Sequence, residues 1–229
     1  LITSGGTRVD IDSVRHIGNM SRGTFGSRIA RQIMLEAEGE IDRLTFLCAR
    51  GSRTPFSTLV DMNEAGSETD KMWDVLELFD FCRPFEDVYD QQEFVTFQDY
   101  EERMADLLDQ DFDLVILAAA VSDFLVDDPV EGKIRTRDQM RIDLCEAPKI
   151  ISSVKRALPK CKLVGFKLLV GSTDEELYME ACKSIEKNGC DMVVANDLRD
   201  IRANQHRVIL VTRSDPDDGG FRGTLFKSD

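Results

Sequence analysis

Apolar residues along the chain alternate between short runs typical of buried strands and longer stretches with helical spacing. The first run, residues 1–3, ends in a turn that contains two glycines. Residues 23–39 then show apolar positions three or four apart, which predicts a helix, and residues 44–49 predict a second strand. A strand, a glycine-bearing turn, a helix and a strand form a βαβ unit, which indicates parallel strands.

The alternation of strands and helices continues through the second half of the chain. Helices are predicted over residues 99–108 and 173–187, and further strands over residues 94–97, 113–121, 162–168, 191–195 and 207–212. After Asp113, the run continues with apolar residues to Val121, as expected of a strand covered on both faces. The pattern predicts an α/β fold: a doubly wound, Rossmann-like, mostly parallel sheet with helices on both faces.

Two segments depart from this pattern. Residues 124–147 contain the alternating stretch KIRTRDQMRIDL, which predicts an extended flap, either an arm or a hairpin. Residues from about 51 to 92 are polar and irregular, and we interpret them as an insertion with one short helix around the apolar residues Trp73, Val75, Leu76, Leu78 and Phe79. We predict a single domain over residues 1–229 that carries this insertion and this flap.

The composition restricts the classes of partner. A formal net charge of −14 and a pI near 4.6 argue against a nucleic-acid binder, which needs clustered cations. No apolar run approaches the roughly 18–20 residues of a membrane span. The six cysteines are scattered without a CxxC pair, which predicts free thiols and a cytoplasmic protein. Because the chain starts at Leu1 without a methionine, we expect its true N-terminus to lie further upstream.

The segment HIGNMSRGTFG (residues 16–26) is the first candidate for a binding site. In open α/β sheets, ligands bind beyond the carboxyl ends of the strands, beside the N-termini of helices. Gly23 and Gly26 allow a close approach of the backbone, and the start of the helix offers N–H groups to an anion. The alternative is a glycine-rich loop that only packs the helix against the sheet.

Three further segments contain candidate residues, each with a purely structural alternative. The small residues 118–120 followed by Asp123 suit a flat base and a ribose, although a tightly packed strand and a solvated carboxylate explain them as well. Lys133 opens a basic stretch that suits a polyphosphate, or equally a charged edge strand. Lys183 and Lys187 stand one helical turn apart, where they either meet an anion or pair with neighbouring glutamates.

Two familiar nucleotide motifs are absent from the sequence. There is no GxxxxGK[ST], which excludes a P-loop, and the first turn lacks GxGxxG. The second predicted strand ends in Arg50 instead of an acid, and no YxxxK pair follows it. These gaps weaken the main alternative function, an NAD(P)-dependent oxidoreductase on a Rossmann-like fold. A catalytically inactive nucleotide-binding or scaffold protein is a second alternative.

Six segments taken together resemble phosphopantothenoylcysteine synthetase, the ligase of coenzyme A biosynthesis. They occur in the family's order from the first residues to about residue 212: ITSGGTRVDIDSVRHIGNMSRGTFG, AAAVSDF, GKIRTRDQMRIDLCEAPKII, VGFKLL, KSIEK and VVAND. Each segment is weakly specific by itself, whereas six in order are strongly specific. The resemblance speaks against an inactive protein, because Asn19, Asp123 and Lys133 are all retained.

The resemblance implies a reaction and a set of small molecules. The family joins 4′-phosphopantothenate to L-cysteine: the substrate carboxylate attacks the α-phosphate of CTP or ATP, pyrophosphate leaves, and the cysteine amine displaces the nucleoside monophosphate. Mg²⁺ is expected on the nucleotide phosphates. The family places its active site at a dimer interface, which implies a homodimer with no nucleic-acid or membrane partner. No flavin is expected in this chain, because the decarboxylase domain fused to many bacterial relatives is not part of it.

The resemblance also implies roles for individual residues. Asn19 would donate its amide to the acyl-nucleotide, and Lys133 would act on this intermediate from the flap. Phosphopantothenate would lie against Gly6, Ser21, Gly23 and Gly26. The nucleotide would contact Ala118, Ala119, Ala120, Asp123, Lys133, Ala147, Pro148, Lys149, Ile150, Phe166, Lys183 and Lys187.

Three positions depart from the family pattern. Arg22 replaces a usual Ser or Thr, and Ala147 replaces a frequent Asn before Pro148. The flap has Lys133 but fewer lysines than many relatives. Bacterial members generally use CTP and eukaryotic members ATP, and the segments GFKLL and AND favour CTP here.

Overall fold

The computed structural model describes residues 1–37, 39–57, 82–136, 140–202, 206–214 and 220–228. The short helix expected around Trp73 falls on residues outside these ranges. Within them the helices are α1 (Thr24–Glu36), α2 (Phe97–Leu108), α3 (Ile151–Ala157), α4 (Asp174–Asn188) and α5 (Leu198–Arg202). The strands are β1 (Ile2–Ser4), β2 (Arg8–Asp10), β3 (His16–Gly18), β4 (Leu44–Ala49), β5 (Tyr89–Phe94), β6 (Leu114–Leu117), β7 (Phe124–Val126), β8 (Leu144–Glu146), β9 (Lys162–Leu169), β10 (Met192–Asp197), β11 (His206–Arg213) and β12 (Phe221–Ser228).

The chain forms two compact units. The first comprises Leu1–Ala105 and Ala118–Pro148, and the second comprises Asp106–Leu117 and Lys149–Asp229. In the first unit, β4 lies between β1 and β5 and pairs with both in parallel. In the second, β9 pairs in parallel with β6 and β10, and β11 and β12 add two antiparallel strands beside β10. The mostly parallel strands and the helices that connect them confirm the predicted α/β, Rossmann-like fold.

The core of the first unit is built around β4. All six of its residues are buried, as expected of a parallel strand covered on both faces. Phe46 is fully buried, and the rings of Phe94 and Tyr100 pack edge-on with their centroids 4.9 Å apart. Edge-on packing is a favoured arrangement of aromatic pairs, so the end of β5 is held firmly against α2.

The strand predicted over residues 94–97 is wrong in position: the observed strand β5 ends at Phe94, and α2 begins at Phe97. The reason is a helix cap. The Thr96 hydroxyl accepts a hydrogen bond from the Asp99 amide at 3.1 Å, and the Asp99 carboxylate accepts one from the Val95 amide at 2.8 Å. This reciprocal cap starts a helix directly after the strand. Since β5 begins at Tyr89, the irregular stretch predicted up to residue 92 also ends earlier.

In the second unit the predicted helix over residues 173–187 is observed as α4. Its first turn has a complete capping box: the Thr173 hydroxyl accepts from the Glu176 amide, and the Glu176 carboxylate accepts from the Thr173 amide. The helix ends at Gly189, which adopts the left-handed conformation with φ +70°. The strand β12, beyond residue 212, was not predicted.

The two ends of the flap pair with each other as a hairpin. β7 and β8 pair antiparallel, with Leu125 opposite Cys145. A second hairpin that the sequence pattern did not predict is formed by β2 and β3. Residues 137–139 lie outside the described ranges.

Two general properties follow from the described residues. None of their helices combines the length and the apolar character needed to cross a bilayer. The six cysteines are all free thiols, as predicted, and four of them are buried. Burial is the largest influence on Cys48 and raises the pKa of its thiol to about 11, so this group stays protonated at neutral pH.

Replacing Thr173 by Ala should destabilise the second unit, because α4 loses the acceptor for the Glu176 amide. The expected loss in the free energy of unfolding is about 1 kcal/mol, measured by urea denaturation. Thr173→Ser keeps the hydroxyl and is the matched control. Equal stability of the Ala and Ser variants would contradict the importance of this cap.

Candidate functional site

The candidate site is centred on the contact between the first turn and residues 118–122 in the first unit. The Thr7 amide donates to the Ala120 carbonyl at 3.1 Å, and the Ala120 amide donates to the Gly5 carbonyl at 2.7 Å. The Thr7 hydroxyl also accepts a hydrogen bond from the Ser122 amide at 2.9 Å and lies 3.0 Å from the Ser122 hydroxyl. These bonds fix the two segments side by side, at the carboxyl ends of their strands, where α/β proteins bind ligands.

Asn19 is held at this contact by both segments. Its backbone amide donates to the Thr7 carbonyl at 3.3 Å. Its side-chain amide donates to the Ala120 carbonyl at 2.7 Å and lies 3.4 Å from the Ser122 hydroxyl. The second side-chain contact is near the upper limit for a hydrogen bond and is therefore weak. Asn19 is exposed, so an incoming oxygen atom can replace this contact.

The start of α1 lies beside the same turn. Gly23 is the N-cap in the left-handed conformation (φ +74°), without a side-chain cap, and the first helical turn contains no acidic residue. The Ser4 hydroxyl donates to the Gly23 carbonyl at 3.0 Å. A Cβ atom on Gly26 would lie only 2.5 Å from the Ser4 Oγ, so Gly26 lets the helix pack closely on β1. Gly26 therefore has a packing function, while the uncapped start of the helix can attract an anion.

A cavity of about 320 Å³ opens beside Asn19. This volume is in the range of small-molecule sites, about 300–1,000 Å³. Its lining combines residues of the first turn and of the β2–β3 hairpin with Arg50 and three apolar residues at the ends of β4 and β5. The lining residues are Gly6, Thr7, Arg8, His16, Gly18, Asn19, Ala49, Arg50, Phe94 and Val95.

The cavity is suited to an anion because two arginines line it. The Arg8 Nε lies 3.3 Å from the Asp10 carboxylate but forms no hydrogen bond, although the atom is buried. A buried donor without an acceptor is costly, and a ligand oxygen would satisfy it. Arg50 is paired with Glu93 at 3.2 Å through Nε, and its side chain is 68% exposed. Most of this side chain is therefore accessible, and its guanidinium can meet a phosphate or carboxylate.

Lys133 lies on an exposed part of the flap whose backbone is bonded to the loop after β2. Asp12, in this loop, has a fully buried carboxylate that accepts a hydrogen bond from the Ile134 amide at 3.0 Å. That bond is the largest influence on Asp12, and with the hydrogen bonds from Arg15 it holds the pKa of the carboxyl well below its usual range despite burial. Asp12 is therefore ionised at neutral pH.

The predicted site residues separate between the two units. Twelve of them belong to the first unit: Gly6, Asn19, Ser21, Gly23, Gly26, Ala118, Ala119, Ala120, Asp123, Lys133, Ala147 and Pro148. Within it, the Ala147 amide donates to the Asp123 carbonyl at 2.9 Å, which joins the end of the flap to residues 118–123. The Ser21 hydroxyl accepts from the Gly23 amide at 3.4 Å.

Five predicted residues belong to the second unit: Lys149, Ile150, Phe166, Lys183 and Lys187. Ile150 is the N-cap residue of α3, and Phe166 lies opposite Val194 in the pairing of β9 and β10. Lys183 is ion-paired with Glu180 at 2.7 Å, as the structural alternative predicted, and this hydrogen bond raises the pKa of Lys183. An exposed pair of this kind contributes little stability and can be exchanged for an anionic ligand.

Several residues around the site could not be identified from the sequence pattern. Thr7 and Ser122, whose side chains connect the two central segments, lie 115 positions apart, and no local pattern links them. Arg8, His16 and Arg50 were not assigned to a cavity, although the cation at the end of the second strand was already noted. Their common position depends on tertiary contacts: Arg8 and His16 lie on the paired strands β2 and β3, and the Arg8 amide donates to the Val95 carbonyl at 3.3 Å, just after β5.

The fold and the cavity define the class of protein: an α/β, Rossmann-like protein with a candidate site whose lining suits a small anionic ligand. A sequence model of the C-terminal domain of DNA/pantothenate metabolism flavoproteins matches residues 1–41 and 88–218. The chain therefore belongs to this family. The resemblance to phosphopantothenoylcysteine synthetase that the motifs indicated is thereby confirmed.

Individual relatives agree with this assignment. The coenzyme A biosynthesis bifunctional protein CoaBC of Thermococcus kodakarensis is 33% identical over 213 residues, which are 93% of this chain and 44% of that protein. The DNA/pantothenate metabolism flavoprotein of Streptococcus pneumoniae has a crystal structure with a TM-score of 0.69 at 27% identity, covering 97% of this chain and 90% of that one.

A third comparison concerns the fold alone. A Cab2 mutant in complex with phosphopantothenate-cysteine has a TM-score of 0.79 at 24% identity, covering 100% of this chain and 79% of that one. The chain spans less than half the length of the CoaBC relatives that it matches.

Replacing Gly26 by Ala should destabilise the first unit, because the new methyl group would overlap with Ser4. We expect a loss of about 1–3 kcal/mol in the free energy of unfolding, measured by denaturant titration. Gly18→Ala is the matched control, since a Cβ there would have its nearest neighbour at 3.5 Å, an ordinary contact. Unchanged stability of the Gly26 variant would contradict its packing function.

Proposed function

We propose that this chain is a phosphopantothenate–cysteine ligase that joins 4′-phosphopantothenate to L-cysteine through an acyl-nucleotide. The observation that carries the proposal is the position of Asn19. Its amide is held between the first turn and residues 118–122, at the wall of a cavity lined by arginines. Family membership supports the same activity, since CoaBC is named for coenzyme A biosynthesis and the Cab2 structure holds phosphopantothenate-cysteine.

The first step would activate the substrate carboxylate. A carboxylate oxygen of phosphopantothenate attacks the α-phosphorus of the nucleoside triphosphate, a P–O bond forms, and the P–O bond to pyrophosphate breaks. Both reactants are anions, so the protein must bring negative charges together and compensate them. The uncapped start of α1 and the donors around Arg8 and Arg50 supply hydrogen bonds and positive charge for this purpose.

The second step would form the amide. The cysteine nitrogen attacks the acyl carbon, a C–N bond forms, the C–O bond to the nucleoside monophosphate breaks, and the amine gives up a proton. Negative charge develops on the carbonyl oxygen, and the weakly bonded N–H of Asn19 is placed to stabilise it. Lys133 would offset the charge of the departing phosphate from the flap.

The nucleotide would be CTP, with ATP as the alternative. Mg²⁺ would enter with the triphosphate. Because the described residues contain no group of three or more His, Cys, Asp or Glu side chains placed to hold a metal, most of its ligands would be phosphate oxygens and water. Asp123, an exposed residue just after the segment 118–122, would make an outer contact to such an ion or to a ribose.

The proposal extends to the assembly and the location of the protein. We infer a cytoplasmic homodimer, in which a second copy completes the site and no nucleic acid, membrane or flavin takes part. The alternative function, an NAD(P)-dependent oxidoreductase, is not favoured by the family assignment.

The experiment that tests the function is pyrophosphate release with 4′-phosphopantothenate, L-cysteine and Mg²⁺, with CTP and ATP compared. Release that depends on phosphopantothenate, and faster release with CTP, is the expected result. No release with either nucleotide from folded protein would refute the ligase assignment.

Asn19→Ala should slow conversion of the acyl-nucleotide to the amide by about 10²–10³-fold, the typical cost of removing one donor to a developing oxyanion. The fold should persist, because the side chain is exposed. Single-turnover formation of the amide, followed by rapid quench, measures the effect. Asn188→Ala is the control, because its amide bonds the Ser184 hydroxyl within α4. Wild-type turnover of the Asn19 variant would remove this residue from the mechanism.

Lys133→Gln should leave pyrophosphate release nearly intact and slow amide formation, because Lys133 is assigned to the intermediate and not to its formation. Rapid-quench measurement of acyl-nucleotide and amide separates the two steps. Lys160→Gln, an exposed lysine of the second unit, serves as the control. An equal loss in both steps would show that the two-step assignment of Lys133 is wrong.

A further inference from the structure

Lys133 is exposed, yet hydrogen bonds hold the backbone of the residues immediately before and after it. The preceding residue, Gly132, donates its amide to the Ser13 hydroxyl at 2.9 Å and accepts from the Ser13 amide at 3.0 Å. The following residue, Ile134, donates its amide to the Asp12 carboxylate at 3.0 Å. Just before them, the Val130 amide donates to the Ile11 carbonyl at 3.0 Å. A flap lysine is thus tied to residues about 120 positions earlier in the chain.

Asp12 is the centre of this connection. One carboxylate oxygen, Oδ1, accepts from the amides of Val14 at 2.9 Å and Arg15 at 2.7 Å, which closes the turn after β2. The other, Oδ2, accepts from Ile134 and from the Arg15 guanidinium, at 3.1 Å from Nε and 2.5 Å from Nη2. The two oxygens therefore have different tasks: Oδ1 forms the turn, and Oδ2 binds the flap.

Arg15 completes the connection by bonding the flap as well. Its Nη2 donates to the Ile134 carbonyl at 2.7 Å, so both backbone groups of Ile134 are engaged. The Asp12 side chain is 0% exposed and that of Arg15 is 39% exposed. A buried carboxylate is stable only with charge and hydrogen-bond compensation, and here five donors provide it.

We infer that Asp12 is a positioning residue for Lys133: through Oδ2 it holds the flap backbone, so that the lysine side chain starts from one defined point. The inference rests on the proposed ligase function of this site. A lysine has a long and flexible side chain, so its ammonium group can reach a reacting phosphate reproducibly only if its backbone is fixed. Holding the backbone is therefore as necessary as the charge itself.

The test uses a substitution that separates the two oxygens. In Asp12→Asn, the amide oxygen can still accept from Val14 and Arg15, whereas the new NH₂ group would face the Ile134 amide and the Arg15 guanidinium, which are donors. The turn is retained and the bond to the flap is lost. We expect amide formation to slow by roughly 10–100-fold, the scale for misplacing a catalytic group, with pyrophosphate release nearly unchanged.

A double variant distinguishes positioning from general destabilisation. If Asp12 acts through Lys133, Asp12→Asn should add almost nothing to Lys133→Gln, because the group that it positions is already absent. A further slowing of the double variant, by the same factor that Asp12→Asn causes alone, would overturn the inference. Asp128→Asn is the matched control, an exposed carboxylate of the same flap, and should behave as wild type in both steps.

Two further measurements test the connection between Asp12 and the flap independently of the Asp12→Asn rate. NMR amide exchange of Ile134 should become faster in Asp12→Asn, and unchanged exchange would overturn the connection whatever the activity is. If Asp12→Asn does not fold, Ser13→Ala removes only the acceptor of the Gly132 amide and should slow the same step to a smaller extent; a wild-type rate would then contradict the inference. Absence of pyrophosphate release from the wild type would instead refute the proposed function, and the positioning role with it.

Discussion

The candidate site depends on the hydrogen bonds between the first turn and residues 118–122. Ala120 donates to Gly5 and accepts from Thr7, so the two loops meet as if they were adjacent strands. Asn19 binds both loops: its backbone amide donates to Thr7, and its side-chain amide donates to Ala120. Because each of these groups is satisfied by another backbone or side-chain group, the loops keep one geometry without a ligand. A preorganised arrangement of donors is what stabilisation of a developing charge requires.

An acidic protein can bind anionic substrates only if its few cations are concentrated locally. The net charge of −14 repels anions at long range, but screening confines that repulsion to about 10 Å at moderate ionic strength. Within the cavity the local balance of charge differs from that of the whole protein, because Arg8 and Arg50 line it together with residues of the first turn. The carboxylates of Asp10 and Glu93 hold these arginines in place and leave part of each guanidinium for a ligand.

The glycines of the segment HIGNMSRGTFG show how packing and binding share one motif. Gly26 is required because α1 approaches Ser4 too closely for a side chain, which is the structural alternative that the sequence analysis left open. The same close approach brings the start of α1, which has no side-chain cap, beside the first turn. Packing of the helix and attraction of an anion are therefore consequences of one local geometry.

The sequence by itself determined the α/β class, the order of most strands and helices, and the motifs that contain Asn19, Asp123 and Lys133. These are local properties: periodicity of apolar residues, caps such as Thr173, and short segments. It did not reveal the start of α2 at Phe97, since the apolar spacing there fits a strand equally well. Only the tertiary structure showed that Asp12 meets Ile134, 122 positions later, and that Thr7 meets Ser122. Such contacts depend on the path of the chain and the order of the strands, which no local pattern encodes.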